Sequence, residues 1–275
     1  MINKGFDVIE IPIDSVDVIS LDLAALIIAD PFNEYSEEQF QKITAYIDGG
    51  GNMLIAGEPG KQSLLNPLIE KFGLTFNPGM LLQESKEFEL DLVQAGVARE
   101  ASQIGIEFDD DHIISLPGAV GISIGSTGDF DVIPVLQTNL RSVWNKEGRF
   151  DLETDTIVFN PDHDVRNVSP VAVAVTRKFP NKEQKIMVVG DADFMSNGEL
   201  GRFNLRPKNY EFSFKMFEWF SDGEFPVDTS RPSPIDNTIL VSQEEISWIE
   251  IFFLGFIPVI LGLGGAYTLI SRKRN

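Results

Sequence analysis

Hydrophobic positions in the first quarter of the chain follow the period of a buried strand and then that of a helix. The segments "LAALIIADP" (23–31) and "NMLIAGEP" (52–59) are continuous apolar runs, which is typical of parallel strands buried on both faces. Between them, "YSEEQFQKITAYIDGGG" (35–51) has apolar residues every three or four positions and predicts a helix. Ser36 is a suitable N-cap for this helix, and Gln39 completes a capping box.

Two further segments extend this pattern. The alternation in "FDVIEIPI" (6–13) predicts a half-buried strand, and "LLNPLIEKFGL" (64–74) predicts a second helix. The order strand, strand, helix, strand, helix is typical of an α/β fold with a doubly wound, mostly parallel sheet.

The middle of the chain has a different pattern. Residues 85–105 are ambiguous and partly helical, whereas 112–138 contain short β-rich runs separated by Gly and Pro. Residues 139–169 are polar and loop-like. We therefore expect a β-rich insertion over about 106–170, with antiparallel strands inside the α/β core or at its edge.

The α/β pattern then resumes. Residues 170–179 and 185–191 predict two strands, and 208–223 predict a helix. A Pro- and Ser-rich segment over 225–246 reads as a linker. The predicted α/β domain therefore spans 1–224.

The end of the chain is strongly apolar. From 248 to 270 its only charged residue is Glu250, so a transmembrane helix is predicted over 247–271. The basic tail, 272–275, indicates a cytoplasmic C-terminus by the positive-inside rule. The expected localisation is the inner (cytoplasmic) membrane, crossed once, with domain 1–224 outside the cytoplasm.

The N-terminal sequence "MINKGFDVIEIPIDS" does not have the pattern of a signal peptide. Two explanations are open. Either the natural chain begins earlier, with a membrane segment upstream, or the domain is cytoplasmic against the charge rule. The first is favoured, because a strand pattern begins as early as Phe6.

Composition restricts the function further. The formal net charge is −20, which disfavours binding to nucleic acid because phosphate contacts need clustered Lys and Arg. The chain has no cysteine, which excludes disulfides, thiolate metal sites and cysteine nucleophiles.

One strand end carries candidate chemistry. In "KIMVVGDADFMSNGEL", Asp191 and Asp193 follow a buried run, and Asn197 follows shortly after. Ligands of open α/β sheets bind beyond such strand ends, so these residues could bind a metal or a sugar hydroxyl, or act as an acid/base pair. The favoured interpretation is structural, with Asp193 capping a short helix and Asp191 holding the turn. Asp191, Asp193 and Asn197 are retained as a candidate ligand-binding site without a catalytic role.

Other constellations are weaker. The two histidines lie in acidic segments and could form a His₂-carboxylate site, but acidic loops are expected by chance at this net charge. No metal and no cofactor is therefore predicted. The segment "GISIG" lies inside a β run rather than at a nucleophile elbow, and no Walker A motif is present. The residues of the possible metal site are His112, His163, Asp110, Asp162 and Asp164.

Several segments together resemble a known family. They are "LAALIIADPFNEYSEEQFQKITAYIDGGGNMLIAGEP", "VIPVLQTNLRSVW", "SPVAVAVTRKF", "KIMVVGDADFMSN" and "FEWFSDG", with "FFLGFIPVILGLGGAYTLISRKRN" at the end. This set is similar to the GldG-like family, the auxiliary components of ABC-type transport systems associated with gliding motility.

The resemblance implies an α/β domain related to ThuA-like and glutamine-amidotransferase-like folds. It implies a location outside the cytoplasm and two partners, an ABC-2 type permease and its ATPase subunit. The family has no established catalytic residues, and the related amidotransferases use a cysteine that this chain lacks.

The favoured function is a membrane-anchored, non-enzymatic accessory subunit of an ABC-2 type transporter that binds a substrate or partner protein in the periplasmic or equivalent space. One alternative is a carbohydrate- or metal-dependent hydrolase using Asp191, Asp193 and His163. Another is a purely structural anchor.

Overall fold

The computed structural model divides the chain into two compact units, Met1–Asp228 and Thr229–Asn275. Among the sequence predictions, Asp110, Glu250 and the linker after residue 225 lie outside the described residues. The structure describes residues 7–108, 112–139, 142–148, 150–152, 154, 157–202, 207–225 and 251–274.

The first unit is a mixed α/β domain. Its described strands are β1 (Leu26–Ala29), β2 (Met53–Ala56), β3 (Leu74–Phe76), β4 (Met80–Gln83), β5 (Leu92–Val97), β6 (Ile114–Pro117), β7 (Ile122–Ile124), β8 (Asp131–Thr138), β9 (Val143–Lys146), β10 (Pro170–Lys178) and β11 (Glu183–Val189). Its described α-helices are α1 (Glu37–Asp48), α2 (Gln62–Ile69), α3 (Asn197–Leu200) and α4 (Asn209–Phe220).

Seven strands form the main sheet in the order β1-β2-β11-β10-β8-β5-β6. Only the β1–β2 and β2–β11 pairings are parallel, and every other pairing in this sheet is antiparallel. The prediction of a mostly parallel sheet is therefore wrong. The reason lies in the short connection after Lys178, which returns the chain at Glu183 and is too short for the crossover that parallel strands need.

Strands β2 and β11 are covered on both faces by helices. Met53 and Ile55 of β2 pack in one hydrophobic cluster with α1 and α2, whereas Leu54 belongs to a second cluster with α4. This alternation follows from the period of two in a strand. The helices after β1 and β2 therefore lie on one face of the sheet, and the helix after β11 lies on the other.

The first predicted helix is confirmed, including its N-terminus. Ser36 is the N-cap of α1, and the Gln39 N–H donates to Ser36 Oγ at 3.2 Å. The Ser36 N–H donates in return to Gln39 Oε1 at 2.9 Å. The capping box could be predicted from the sequence because both of its hydrogen bonds join residues that are close along the chain.

Some predicted strand features are wrong. Strand β1 lies at the edge of the sheet and leaves Ile27 44% exposed, so it is not buried on both faces. The predicted strand over 6–13 does not form in its described part, because residues 7–12 pair with no strand and Ile13–Ser15 form a 3-10 turn. Residues 139–169, expected to be a loop, contain β9.

The second unit contains a π-helical segment (Ile251–Phe256) followed by the helix α5 (Ile257–Arg274). Among the described residues, no helix combines the length and the apolar character needed to cross a membrane. The predicted transmembrane helix over 247–271 is therefore wrong. Helix α5 ends in Arg272, Lys273 and Arg274, and its apolar part measures only about 21 Å at 1.5 Å per residue, against about 30 Å of hydrocarbon. The single-pass topology inferred from that helix loses its basis.

Candidate functional site

Three acidic residues follow the three parallel strands of the sheet. Asp30 comes directly after β1, Glu58 two residues after β2, and Asp191 two residues after β11. Because the carboxyl ends of parallel strands meet at one edge of a sheet, the fold brings these side chains to a common edge.

The space between β2 and β11 is the switch point of this edge. The two strands are parallel neighbours, with Ile55 paired to Val188. Their following helices lie on opposite faces, α2 on one and α4 on the other. Diverging connections of this kind open the crevice in which α/β proteins bind ligands. We call the edge formed by Glu58, Asp191 and Asp193 the carboxyl crevice.

Asp191 is fully buried in this crevice. Its Oδ1 accepts the backbone N–H of Asp193 at 2.7 Å. Its Oδ2 is buried and has no hydrogen-bond partner among the described residues. Burial raises the pKa of the Asp191 carboxyl well above its usual range, and the neighbouring carboxyls of Glu58 and Asp193 raise it further.

Glu58 faces the same crevice and is partly buried. It accepts a hydrogen bond from the backbone N–H of Ala192. Its Oε2 is buried and, like Asp191 Oδ2, lacks a partner in the described part of the chain. Burial raises the pKa of Glu58 to about 7, with the charges of Asp193 and Asp30 acting in the same direction. Near neutral pH the Glu58 carboxyl is therefore only partly ionised.

The rim of the crevice carries a cation and an aromatic ring. Lys61 forms an ion pair with Asp30, and its Nζ lies 4.4 Å from the ring centroid of Phe32. The Phe32 side chain is 84% exposed. Asp30 has φ +45°, which aspartate tolerates better than most residues.

The other predicted site residues lie beside the crevice. Asp193 is exposed and begins a 3-10 turn, while Asn197 is the exposed first residue of α3. The cap of α3 is Ser196, whose Oγ accepts the Glu199 N–H at 3.3 Å. The expectation that Asp193 caps the short helix is therefore wrong, because the N-cap of that helix lies three residues after the aspartate.

The histidine constellation is not assembled among the described residues. His163 lies in an exposed turn, and Asp164 is paired instead with Lys146 Nζ at 3.0 Å. The ring of His112 lies 5.8 Å from that of Phe108. No group of three or more His, Asp or Glu side chains within the described ranges is arranged to hold a metal ion.

Glu58 and Asp30 were missed at the sequence level, although a signal for them is present. "IIAD", "IAGE" and "VVGD" each place an acid within two residues of an apolar run. The shared pattern marks three strand ends. Only the pairing of β2 with β11 shows which of these ends are neighbours.

The raised pKa values of Glu58 and Asp191 predict that stability falls as the pH rises from about 5 to about 8. The folded state holds these protons more tightly than the unfolded chain, so the stabilisation is complete below the unfolded pKa and is lost as the pH passes the folded one, about 7 for Glu58. Because Glu58 is partly exposed, we expect about 1–2 kcal/mol from it after allowing for solvent screening.

Urea unfolding at both ends of this pH range measures the effect. Glu58→Gln should flatten the dependence, because the amide stays neutral. Glu100→Gln, an exposed residue after β5, is the matched control and should leave it unchanged. Equal pH dependence in wild type and Glu58→Gln would contradict the assignment.

Comparison with known families agrees with the sequence resemblance. A protein-family model described as "ABC-type uncharacterized transport system" matches residues 1–217. The resemblance to an auxiliary family of ABC-type transport systems is thereby confirmed. No curated protein sequence matches the chain.

Two solved structures are similar to the fold. The "mmIFT52 N-terminal domain" has a TM-score of 0.52 at 19% identity, covering 74% of this chain and 79% of that one. "Cytoplasmic Protein STM3548 from Salmonella typhimurium" has a TM-score of 0.43 at 12% identity, covering 75% and 77%. The first likeness concerns the fold alone, and the second supports no argument.

Proposed function

Because the chain belongs to the family described as "ABC-type uncharacterized transport system", we propose that it is a non-enzymatic accessory subunit that binds a ligand in the carboxyl crevice. The family membership supports a role in ABC-type transport. The crevice supports a role in binding a ligand.

One observation carries the binding role. Asp191 Oδ2 and Glu58 Oε2 are buried acceptors without a partner in the described residues, and both lie at the β2/β11 switch point. A buried polar atom without a hydrogen bond costs about 1–3 kcal/mol. A ligand that donates to these atoms recovers that cost, so the folded domain gains stability when the crevice is filled.

The surroundings favour binding over bond chemistry. His163, the third member of the alternative hydrolase site, lies in the turn beside Lys146 and β9, whereas the charges that act most strongly on Asp191 are Glu58, Asp193 and Glu199. A hydrolase would need an activated water or nucleophile close to the carboxyl pair. Among the described side chains, the crevice brings together carboxyls without a histidine, and no group of three or more His, Asp or Glu is arranged to hold a metal ion.

The transporter partners we propose are an ABC-2 type permease and its ATPase subunit. The chain has no Walker A motif, so ATP hydrolysis belongs to the partner.

Co-purification tests this partnership. A tagged chain produced from its native operon should retain both permease and ATPase in mild detergent. An unrelated tagged membrane-associated protein from the same cells serves as the control. Recovery of the chain alone, with the permease present in the same extract, would refute the accessory-subunit role. If the complex forms equally well with Asp191→Asn, the crevice is not part of the contact with the transporter.

A further inference from the structure

We propose that the carboxyl crevice recognises a primary ammonium group, either of a free organic amine or of a lysine side chain. This inference rests on the proposed binding function and names its chemical class.

The unpartnered atoms of the crevice accept hydrogen bonds once their carboxyls are ionised, and a bound cation favours that ionised form. Asp191 is 0% exposed, and its Oδ1 already accepts the Asp193 N–H at 2.7 Å, which leaves Oδ2 directed at the crevice. Glu58 likewise uses the Ala192 N–H and leaves Oε2 without a partner. The occupant must therefore supply hydrogen-bond donors, and an ammonium group supplies three.

The charges around the crevice are unbalanced in a way that favours a cation. Two basic side chains near the crevice are engaged, Lys61 with Asp30 and Arg202 with Glu199. In the part of the chain that the structure describes, none of Glu58, Asp191 and Asp193 forms an ion pair. An ammonium group would neutralise part of this charge and form short, charge-assisted hydrogen bonds.

A bare metal ion fits these residues less well. No set of three or more His, Asp or Glu groups in the described residues has the arrangement of a metal site. Calcium takes six to eight oxygen ligands, whereas an ammonium group is satisfied by two or three acceptors. The two free carboxyl oxygens therefore suit an N–H donor.

The segment after β6 borders the crevice. The Val120 N–H donates to the Gly190 carbonyl at 2.7 Å, which holds this segment against the end of β11. A Cβ placed on Gly118 would lie 3.4 Å from Glu58 Oε1, so the backbone passes close to the carboxyl. Tetramethylammonium, which has the same charge but no N–H donor, is therefore the matched control for a primary ammonium group.

Solution NMR on the ¹⁵N-labelled full chain tests the proposal. The reporter is the Asp193 amide, which donates directly to Asp191. Propylammonium chloride is titrated at about pH 8, with tetramethylammonium chloride and NaCl at the same ionic strength as controls. We expect a saturable shift of this amide with propylammonium only. Binding should weaken about tenfold at pH 6, where Glu58 is mostly protonated.

A lysine arm distinguishes the source of the ammonium. N-acetyl-lysine amide should shift the Asp193 amide if the crevice accepts lysine side chains. If the ligand is a free amine, propylammonium should shift this amide and N-acetyl-lysine amide should not. Both outcomes support the ammonium class. Equal shifts with tetramethylammonium or NaCl, saturation by Mg²⁺ or Ca²⁺, or no saturable shift at all would overturn it.

Variants connect the binding to the named atoms. Glu58→Gln keeps the size of the side chain and should weaken propylammonium at least tenfold, while Glu100→Gln should bind as wild type. Asp191→Asn should also lose binding, and its folding is checked by the unchanged dispersion of the spectrum. Unaltered affinity in Glu58→Gln would contradict the proposal even if the chain co-purifies with the permease, so the two failures are separable.

Discussion

Gly190→Ala is expected to destabilise the domain by about 3 kcal/mol or more. A Cβ at this position would lie 2.0 Å from the carbonyl oxygen of Val120. The opposing atom belongs to the backbone, and the two segments are held together by the Val120 N–H bond to the Gly190 carbonyl at 2.7 Å. The clash is therefore relieved only by separating the segment after β6 from the end of β11.

Urea unfolding of Gly190→Ala measures this cost, and Gly96→Ala is a matched control. Gly96 lies in β5, is exposed, and its added Cβ would meet no atom within 4 Å. The free energy of unfolding of the control should lie within about 0.5 kcal/mol of that of the wild type. A similar midpoint for both variants would show that the segment after β6 moves away at little cost. The close approach of Val120 would then not constrain the crevice.

Asn209→Ala is expected to cost about 3 kcal/mol. Asn209 is fully buried, and its Nδ2 donates to the carbonyls of Ser115 and Phe194 at 2.7 and 2.8 Å. Its Oδ1 accepts the Ser115 N–H at 2.9 Å. Truncation removes the partners of three backbone groups that connect α4 to β6 and to the turn after Asp191.

Asn197→Ala provides the comparison for this loss. Asn197 is exposed, so its stability change should stay within about 0.5 kcal/mol. Thermal unfolding at one fixed pH measures both variants. If Asn209→Ala matched Asn197→Ala, the buried network would contribute nothing to the docking of α4.

The elements that depend on local sequence were predicted well. Helix α1 has its cap, apolar stripe and glycine stop within 17 residues of chain, and each signal is local. Strands β2, β10 and β11 each contain a continuous buried apolar run, at 53–56, 171–175 and 186–189. For such segments, burial on both faces and the period of the side chains suffice to predict the structure.

Strand direction could not be predicted in the same way, because it depends on pairing between distant segments. The connection between β10 and β11 did carry a usable signal, since it is too short for a crossover. The neighbourhood of β2 and β11 carried none. Residue patterns identify a strand. The order of strands in a sheet depends instead on which helices cover each of its two faces.

The candidate site was predicted in part for the same reason. Asp191 and Asp193 lie at the carboxyl crevice, but their partner Glu58 comes from a strand end far away in the chain. The membrane prediction failed differently, since it counted apolar residues over a segment that the structure divides between a π-helical start and a helix with a charged last turn.

The pairing of β2 with β11 has a consequence for biosynthesis. Val188 follows its partner Ile55 by 133 residues. At about 5–20 residues per second, a ribosome needs on the order of 10 s to synthesise the intervening chain. During that interval the edge of β2 that later pairs with β11 is exposed in the nascent chain, and the crevice is incomplete because Asp191 and Asp193 have not been synthesised. A chaperone that shields β2 would thus act within this interval, before β11 leaves the exit tunnel.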